Sequence, residues 1–447
     1  MRSTHFLFAA VLAVCCGMAA AATTAELKSR QLADLDTLRS DYVQASMAFS
    51  DTSRAAALQA VEALRTRAGA MSEAEFTLAL ARVAALADNA HDEIVPNAKL
   101  MGPRLPVRLA WFGQELMVVL SAPDLPELAG ATVLSLGGKK PEELAALTRP
   151  YIGGPDHFAR ANSTWLLESP ALLGALGLTL ERGKLGASFR LRDGTVVERQ
   201  LAPLERSQVP TGSVPELLRS AGVSAASGAA WNRALLGAPI PLAMQEPEKI
   251  FRAIPLRAYD ALYVQFRGNY DHEGGRTLGK FAGDTAALAA KLKPRFLVLD
   301  QRFNGGGNTD LTRELMKVLA ENTREKVYIL TSEYTFSAGI VSSAIAKQAA
   351  GPKVRVIGSL VGDRLRWWSE NRKQCLPNSG HCFTPSYGLW DLRKGCAQEQ
   401  GCFGDAYDVK INGLDPDMLV PLTAADWLAG YDAALMAAAA DAAGGQR

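Results

Sequence analysis

The sequence predicts an α/β protein built around a parallel sheet, and two observations in its C-terminal half support this. Apolar, β-branched runs recur at Phe296–Leu299, Val327–Leu330 and Val354–Ile357. Runs without polar alternation are typical of strands buried on both faces. Stretches of helical pattern separate the runs, beginning after the strand-like segment Ala261–Phe266 with a helix expected over Asp284–Leu292. This order indicates βαβ units whose helices cover the sheet.

Two regions of different texture precede the α/β part. In the first, Ala, Leu, Glu and Arg recur at helical spacing, and Ser72 with Glu75 forms a capping-box pattern at a helix start. The second contains strand-like runs and an Asp193-Gly194 turn typical of a hairpin. The predicted organisation is therefore a helical region at 23–100, a β-rich module at 101–206, a Pro-, Ala- and Gly-rich connection at 207–250, and the α/β domain at 251–447 with a cysteine-rich insert at 374–404.

Composition and charge limit the class of protein. The chain has 447 residues, of which 48% are hydrophobic and 21% charged, an ordinary globular composition with room for two or three domains. Its net charge of +2 comes from 48 basic and 46 acidic residues without a long run of one sign. This balance argues against a nucleic-acid partner. Beyond the N-terminus, no segment approaches the ~20 apolar residues that a membrane-spanning helix needs.

The N-terminus predicts export. Residues 1–22 combine a basic Arg2, a short apolar run at Phe6–Val14 and small residues at Met18–Ala22, the pattern of a cleavable signal peptide. A membrane anchor is the alternative, but the apolar run is too short and no stop-transfer segment follows. A lipoprotein signal acylated at Cys15 or Cys16 is a further alternative. The expected location is periplasmic or secreted.

Cysteine usage agrees with export. Of six cysteines, the four outside the signal, Cys375, Cys382, Cys396 and Cys402, fall within one short segment. An even number in an exported chain favours two disulfides, and of three possible pairings the short loops favour Cys375–Cys382 with Cys396–Cys402. A four-cysteine zinc site is the alternative, although the spacings lack the usual C-x₂₋₄-C pairs.

Two strand ends carry the candidate chemistry. The run at Phe296–Leu299 leads into the loop Asn304–Gly307, whose glycines can expose backbone N–H groups. The run at Val327–Leu330 leads to Ser337, which small residues follow. Acyl transfer needs this combination of a hydroxyl nucleophile and an oxyanion hole. A helix-capping serine and a flexible turn are the simpler alternatives, and the spacing of a Walker phosphate loop is absent.

Three motifs place these residues in a known pattern. The stretches V-L-D-Q-R-F-N-G-G-G (Val298–Gly307), T-S-E-Y-T-F-S-A-G (Thr331–Gly339) and V-R-V-I-G-S-L-V-G (Val354–Gly362) resemble motifs of the tail-specific (carboxyl-terminal processing) and tricorn-type serine peptidases. The L-P-N-S-G stretch at Leu376–Gly380 is similar to another motif of that family. The resemblance implies a crotonase-like (ClpP-like) α/β core, a PDZ-like module at 101–206, peptides or unfolded proteins as substrates, and neither a metal nor an organic cofactor.

The same resemblance implies roles for individual residues. Ser337 would be the nucleophile, and the N–H groups of Ala338 and of Gly305 or Gly306 would form the oxyanion hole. Asp363 stands where processing proteases carry a catalytic lysine, so the tricorn-like branch, which uses histidine, fits better. His91 is at the matching place, and the other histidines considered as the base are His157, His272 and His381. An orienting third group would be Glu370, Asp391 or Ser386, and the sequence does not choose among them.

The sequence thus predicts an exported serine-type peptidase acting through an acyl-enzyme on Ser337. The alternative from a different class is a noncatalytic protein of the same fold that holds an apolar ligand or peptide, as in a retinoid-binding protein of the eye. A hydrolase of nonpeptide esters is a second alternative. The oligomeric state, cleavage preference and physiological substrate do not follow from the sequence.

Overall fold

The computed structural model describes residues 23–219, 225–235, 237, 239–271 and 275–444. The predicted signal peptide at 1–22 and His272 lie outside these ranges. No helix in the described part is long and apolar enough to cross a membrane. Two compact units make up the chain: the first comprises Met1–Met101, Tyr151–Gly153 and Glu370–Tyr387, and the second Gly102–Pro150, Gly154–Ser369 and Gly388–Arg447.

The described helices range from one turn to more than four turns. The α-helices are α1 (residues 23–37, continued by a π-helical turn at Leu38–Val43), α2 (Asp51–Arg67), α3 (Glu73–Ala85), α4 (Pro141–Thr148), α5 (Asp156–Ala161), α6 (Thr164–Leu167), α7 (Pro170–Ala175), α8 (Val214–Arg219), α9 (Leu278–Leu292), α10 (Arg313–Asn322), α11 (Ala338–Ala350), α12 (Ala424–Ala429) and α13 (Ala433–Gly444). Short 3₁₀ turns lie at Pro126–Leu128, Arg149–Tyr151, Arg206–Gln208, Leu242–Met244, Arg257–Tyr259, Gly351–Lys353 and Gly404–Tyr407.

The described strands form four sheets. They are β1 (Ile94–Val95), β2 (Val107–Phe112), β3 (Glu115–Ser121), β4 (Thr132–Leu136), β5 (Leu185–Arg190), β6 (Val196–Leu201), β7 (Asn232–Arg233), β8 (Phe251–Leu256), β9 (Ala261–Phe266), β10 (Phe296–Asp300), β11 (Lys326–Thr331), β12 (Val354–Gly358), β13 (Arg366–Ser369), β14 (Gln374–Cys375), β15 (Cys382–Phe383), β16 (Gly388–Asp391) and β17 (Met418–Leu419).

The first unit combines α1–α3 with the small antiparallel sheet β1-β15-β14. The capping box expected from the sequence is present at α3, where the Ser72 hydroxyl accepts from Glu75 N–H and the Glu75 carboxylate accepts from Ser72 N–H. The buried carboxylate of Asp34 accepts the backbone N–H groups of Asn378 and Ser379, each at 2.8 Å. The L-P-N-S-G stretch is therefore fixed to α1 by one carboxylate.

Both disulfides follow the local pairing. Cys375–Cys382 joins β14 to β15 in the first unit, and Cys396–Cys402 closes a loop in the second. The segment 374–404, expected to be one insert, thus contributes to both units.

The larger sheet of the second unit has the order β17-β12-β11-β10-β9-β8. Strands β9, β10, β11, β12 and β17 pair in parallel, and β8 adds to the edge antiparallel to β9. Every residue of β9 and β10 is buried, which explains their apolar sequences. Leu297 and Leu299 face a core shared with α9–α11, whereas Phe296 and Val298 face a second core shared with α13. Helices therefore cover both faces, as an α/β fold requires.

Helix α9 begins at Leu278, earlier than the predicted start at Asp284. The Thr277 hydroxyl caps it by accepting from Lys280 N–H at 3.3 Å. Gly279 and Gly283 in its first turns weaken the helical pattern of the sequence, which is why the sequence prediction placed the start too late.

The second unit also contains an antiparallel sheet of β2-β3-β4-β5-β6, with β7 paired to β3. The predicted hairpin is β5–β6, and the Asp193 carboxylate accepts from Thr195 N–H within its turn. Helices α4–α7 lie between β4 and β5 in the chain. Strand β7 and helix α8 lie in the segment 207–250, which the sequence predicts to be a connection.

Candidate active site

Ser337 occupies the turn between β11 and α11 in a conformation that non-glycine residues rarely adopt. Its backbone has φ 51° and ψ −124°, and its side chain makes no capping hydrogen bond to α11. An ordinary N-cap residue has extended dihedrals and accepts a hydrogen bond from the helix. The side chain is partly exposed, whereas Ala338 beside it is buried. A strained strand–turn–helix that presents a serine hydroxyl is the geometry of a nucleophile elbow.

The glycine loop lies directly against Ser337. A Cβ added to Gly306 would lie 2.6 Å from the Ser337 Cβ and 3.2 Å from the Ala338 nitrogen. Gly306 also has φ +107°, which disfavours any side chain. The structure thus brings Gly306, Ser337 and Ala338 together from two strand ends.

The N–H groups of the loop differ in what they bind. Gly306 N–H donates to the Asn304 side-chain oxygen at 3.0 Å. Among the described residues, the N–H groups of the exposed Gly305 and of Ala338 have no hydrogen-bond partner. Gly305 and Ala338 therefore have the donors that remain open to a ligand.

Asn304 ties the two loops together. Its carbonyl oxygen accepts from Phe336 N–H at 2.9 Å, immediately before Ser337. Its side-chain nitrogen donates to Gln301 and, at 2.8 Å, to the side-chain oxygen of Asn269. Asn304 is fully buried. This hydrogen-bond network therefore holds the glycine loop (Asn304–Gly307) and the turn that carries Ser337 (residues 332–337, the serine turn) in a fixed relative position.

Asn269 is a positioning residue that the sequence analysis did not identify. It follows β9, and its side-chain nitrogen donates to Thr312 and Ser342, each at 3.0 Å. Its backbone N–H donates to the Gly306 carbonyl at 2.7 Å. The available signal was its place after a buried strand, since the carboxyl ends of parallel strands share one edge of a sheet.

A buried ion triad of Arg302, Asp300 and Asp432 lies where strand β10 leads into the glycine loop. Arg302 donates to Asp300 at 2.6 Å and to Asp432 at 2.7 Å, and Tyr263 donates to Asp300 at 2.6 Å. Burial alone would raise the pKa of Asp300, but the charge of Arg302 and the hydrogen bonds from Arg302 and Tyr263 together lower that pKa. The Arg302 carbonyl accepts from the Ser332 hydroxyl, so the triad also contacts the serine turn.

We expect Arg302→Met to lower the free energy of unfolding by about 3–5 kcal/mol, because it leaves two carboxylates without their shared partner. The Asp300 side chain is 0% and the Asp432 side chain 8% exposed, so water cannot replace the guanidinium. Urea denaturation measures the change. Arg324→Met is the matched control: Arg324 pairs with Asp260 where both side chains are more than half exposed, and such pairs contribute about 0–1 kcal/mol. Equal losses in the two variants would contradict a structural role for the triad.

The pH dependence of the Arg302→Met effect has a definite sign. Because the pKa of Asp300 is lowered in the folded wild type, its ionised carboxylate stabilises the fold above the ordinary carboxyl pKa of about 3.9. This stabilisation is lost as the pH falls through the lowered pKa of the folded state. In the variant, burial without the arginine penalises the charged form instead. The stability difference between the two proteins should therefore narrow as the pH falls from neutral to below about 4.

A second expected result concerns the glycine loop. Gly306→Ala should cost about 1–3 kcal/mol of stability through backbone strain, with a further cost from the contact with the Ser337 Cβ. Gly305→Ala is the control for folding, since no atom lies within 4 Å of a Cβ there and its φ is not positive. Calorimetry of the two variants should separate them clearly. Equal unfolding temperatures for the two variants would contradict the close packing of Gly306 against Ser337.

His91 lies in the first unit and Ser337 in the second. His91 is buried, and its backbone carbonyl accepts from the Thr384 hydroxyl at 2.7 Å and from the Asn371 side chain at 3.2 Å. Burial raises the pKa of the neighbouring Asp92, although hydrogen bonds from Ser386 and other side chains oppose that shift. The backbone of His91 is thus held independently of its imidazole.

His157 lies in the same unit as Ser337. Its Nε2 is 2.7 Å from the Val361 carbonyl oxygen, which can only accept, so Nε2 carries the proton. The next residue, Phe158, stacks on Phe336 with ring centroids 5.1 Å apart. Val361 precedes Gly362, whose N–H donates to Thr335 in the serine turn. His157 therefore braces the serine turn within its own unit.

His381 is fully buried and structurally engaged. Its Nδ1 accepts from Asn97 N–H at 2.9 Å, which places the proton on Nε2, 3.0 Å from the Thr77 hydroxyl. Both ring nitrogens are occupied within the first unit, and this arrangement does not suit a general base.

The candidates for a third group differ in their surroundings. Asp391 pairs with Arg366 and accepts two backbone N–H groups of its own turn. Ser386 is buried, and its N–H donates to the Ser46 hydroxyl at 3.1 Å. Glu370 is exposed with φ 53°. Asp363 is buried, and its carboxylate accepts from Arg364 N–H at 2.8 Å.

The described residues thus define an α/β protein with several sheets and a strained serine beside a glycine loop. No protein-family model and no curated protein matches the sequence. The structure is similar to mature CPAF complexed with lactacystin, with a TM-score of 0.58 and 14% identity over 92% of this chain and 98% of CPAF. A second structure of mature CPAF gives a TM-score of 0.57 and 12% identity over 91% and 95% of the two chains.

The photosystem II D1 C-terminal processing protease is also similar, with a TM-score of 0.38 and 14% identity over 91% of this chain and 98% of that chain. At these identities the comparison with CPAF shows the fold. The chain has the mixed α/β fold of mature CPAF.

Proposed function

We propose that the chain is a serine-type peptidase of the tail-specific and tricorn-type family, which hydrolyses peptide bonds through an acyl-enzyme on Ser337. The observation that carries the proposal is the conformation of Ser337: a partly exposed hydroxyl held at φ 51° against Gly306, without the cap hydrogen bond of an ordinary helix start. Backbone strain of this kind costs roughly 1–3 kcal/mol and persists where function requires it.

The proposed chemistry uses groups already present at the two strand ends. The Ser337 oxygen attacks the peptide carbonyl carbon while a base removes its proton. The N–H groups of Ala338 and Gly305 stabilise the resulting oxyanion. Gly305 is preferred to Gly306 because Gly306 N–H already donates to Asn304. The tetrahedral intermediate then expels the amine, which takes up the proton, and water cleaves the ester to regenerate the serine.

His91 is the proposed base, on the strength of its place in the tricorn-like motif. An imidazole can accept a proton near neutral pH and return it to the leaving amine. His157 is the alternative within the unit of Ser337, because it contacts the loop that supports the serine turn. The orienting third group stays open between Glu370, Asp391 and Ser386.

The wider architecture fits the same proposal. The parallel sheet with α9–α11 and α13 would be a crotonase-like core, and the sheet β2–β6 would be a PDZ-like module for extended peptides. Two disulfides support an oxidising compartment, and hence the periplasmic or secreted location that residues 1–22 predict. Peptides or unfolded proteins are the proposed substrates.

A covalent serine probe tests the proposal. A fluorophosphonate should label the full chain, and mass spectrometry should map the adduct to Ser337. Lactacystin, the small molecule in the CPAF complex, serves as a second probe. No labelling between pH 6 and 9 would favour the noncatalytic binding protein instead. Comparing turnover of a peptide with that of a matched ester distinguishes a peptidase from an esterase.

A further inference from the structure

A cavity lined by charged side chains lies in the β-rich part of the second unit. It encloses about 260 Å³ between β2, α6 and the segment 206–215. Arg104, Arg108 and Arg206 line it, and Glu168 is the only acidic residue in its wall. The wall therefore has a formal excess of two positive charges.

The single carboxylate in the wall already binds two of the three arginines. Glu168 is completely buried, and one of its oxygens accepts from Arg104 at 2.9 Å and from Arg108 at 2.8 Å. Its other oxygen accepts from Leu109 N–H at 2.8 Å. Glu168 carries one negative charge against three guanidinium groups, and among the described residues it forms ion pairs with Arg104 and Arg108 but not with Arg206.

Two N–H groups of the arginines that line the cavity lack a hydrogen-bond acceptor. Among the described residues, Nε of Arg104 and Nη1 of Arg206 are buried without a hydrogen-bond partner, and Arg206 forms no ion pair. Burial lowers the pKa of Arg206, and the charge of Arg108 lowers it further. Arg206 as a whole is partly exposed, but buried N–H groups without a partner are costly unless a ligand satisfies them.

The backbone holds Arg104 and Arg206 close together. Residues Arg104 and Leu204 exchange two backbone hydrogen bonds, of 2.9 and 2.8 Å. Arg108 is fixed in β2 and also donates to the Pro210 and Gly212 carbonyls. The cluster is therefore built into the fold and does not depend on flexible surface side chains.

We infer that this cavity is an oxyanion-binding site, in which Arg206 and Arg104 hold a carboxylate or phosphate group. Planar guanidinium groups match such anions with paired, charge-assisted hydrogen bonds. The volume suits a small anion or the carboxylate end of a larger molecule. The site is separate from the proposed hydrolytic chemistry and does not depend on it.

The test compares thermal unfolding and calorimetric titration in sodium phosphate and in sodium chloride of equal ionic strength. Phosphate should raise the melting temperature of the wild type in a saturable way. Arg206→Met should weaken binding by about tenfold or more, and Arg206→Lys, which keeps the charge but not the fork, by less. Arg190→Met is the matched control, because Arg190 is exposed in the same sheet, and should bind like the wild type.

Stability without the anion gives an independent readout. Arg206→Met should be at least as stable as the wild type in chloride, because it removes an uncompensated charge. If Arg206 had only a structural role, the variant would be less stable.

A comparison of N-acetylalanine with its amide identifies where the bound anion comes from. Stabilisation by N-acetylalanine but not by its amide indicates the carboxylate of a chain end, whereas stabilisation by phosphate but not by N-acetylalanine indicates a free anion. If neither binds, or if all variants respond to phosphate equally through a general salt effect, the inference is overturned.

Discussion

Ser337→Ala is expected to remove covalent labelling and to lower kcat on a peptide substrate by on the order of 10⁵–10⁶-fold, the loss found when a serine hydrolase loses its nucleophile. The substitution deletes only the hydroxyl, because Ala keeps the Cβ that lies against Gly306. The fold should be unchanged by circular dichroism. Residual turnover within about tenfold of the wild type would show that Ser337 is not the nucleophile.

Ser337→Gly is the companion variant that separates chemistry from strain. It also lacks the hydroxyl, so its activity should be equally low. Glycine, however, tolerates φ 51° without a steric penalty. We expect Ser337→Gly to be more stable than Ser337→Ala by about 1 kcal/mol, after the entropy cost of glycine is subtracted. Equal or lower stability would mean that the observed dihedrals store no strain.

His91→Ala is expected to lower kcat by about 10²–10⁴-fold, the usual contribution of a general acid–base. The rate of fluorophosphonate labelling should fall with it, because an unassisted serine is a weak nucleophile. Thr384 and Asn371 bind the His91 carbonyl and not its ring, so the segment should keep its backbone anchors. Stopped-flow labelling and steady-state turnover measure the two effects.

His157→Ala is the discriminating control for this result. If His157 only braces the serine turn through Val361, its loss should reduce activity far less than the loss of His91. The reverse order, with His157→Ala inactive and His91→Ala near wild type, would move the base to His157. His381→Ala should instead lower stability, because it leaves the Asn97 N–H without its acceptor and removes one of the contacts of the Thr77 hydroxyl.

The sequence predicted the central strands well because burial on both faces leaves an unmistakable apolar pattern at β10, β11 and β12. It also placed Ser337 and the glycine loop at strand ends. It could not predict that Ser337 would have φ 51° or that Gly306 N–H would be occupied by Asn304. Those features arise from contacts between loops that are distant in the chain.

Other features left no local signal. Asn269 is a single polar residue after β9, and its role depends on three side chains from later parts of the chain. The cavity lined by Arg104, Arg108 and Arg206 likewise brings together residues about a hundred positions apart in the chain. A short sequence motif cannot predict a contact over such a distance.

The serine turn, the glycine loop and Asn269 belong to three neighbouring strands, β9, β10 and β11, so a newly made chain has none of the geometry until that part of the sheet is complete. If the chain is an exported peptidase, a copy that has not yet folded in the cell that makes it would lack the arrangement proposed for cleavage.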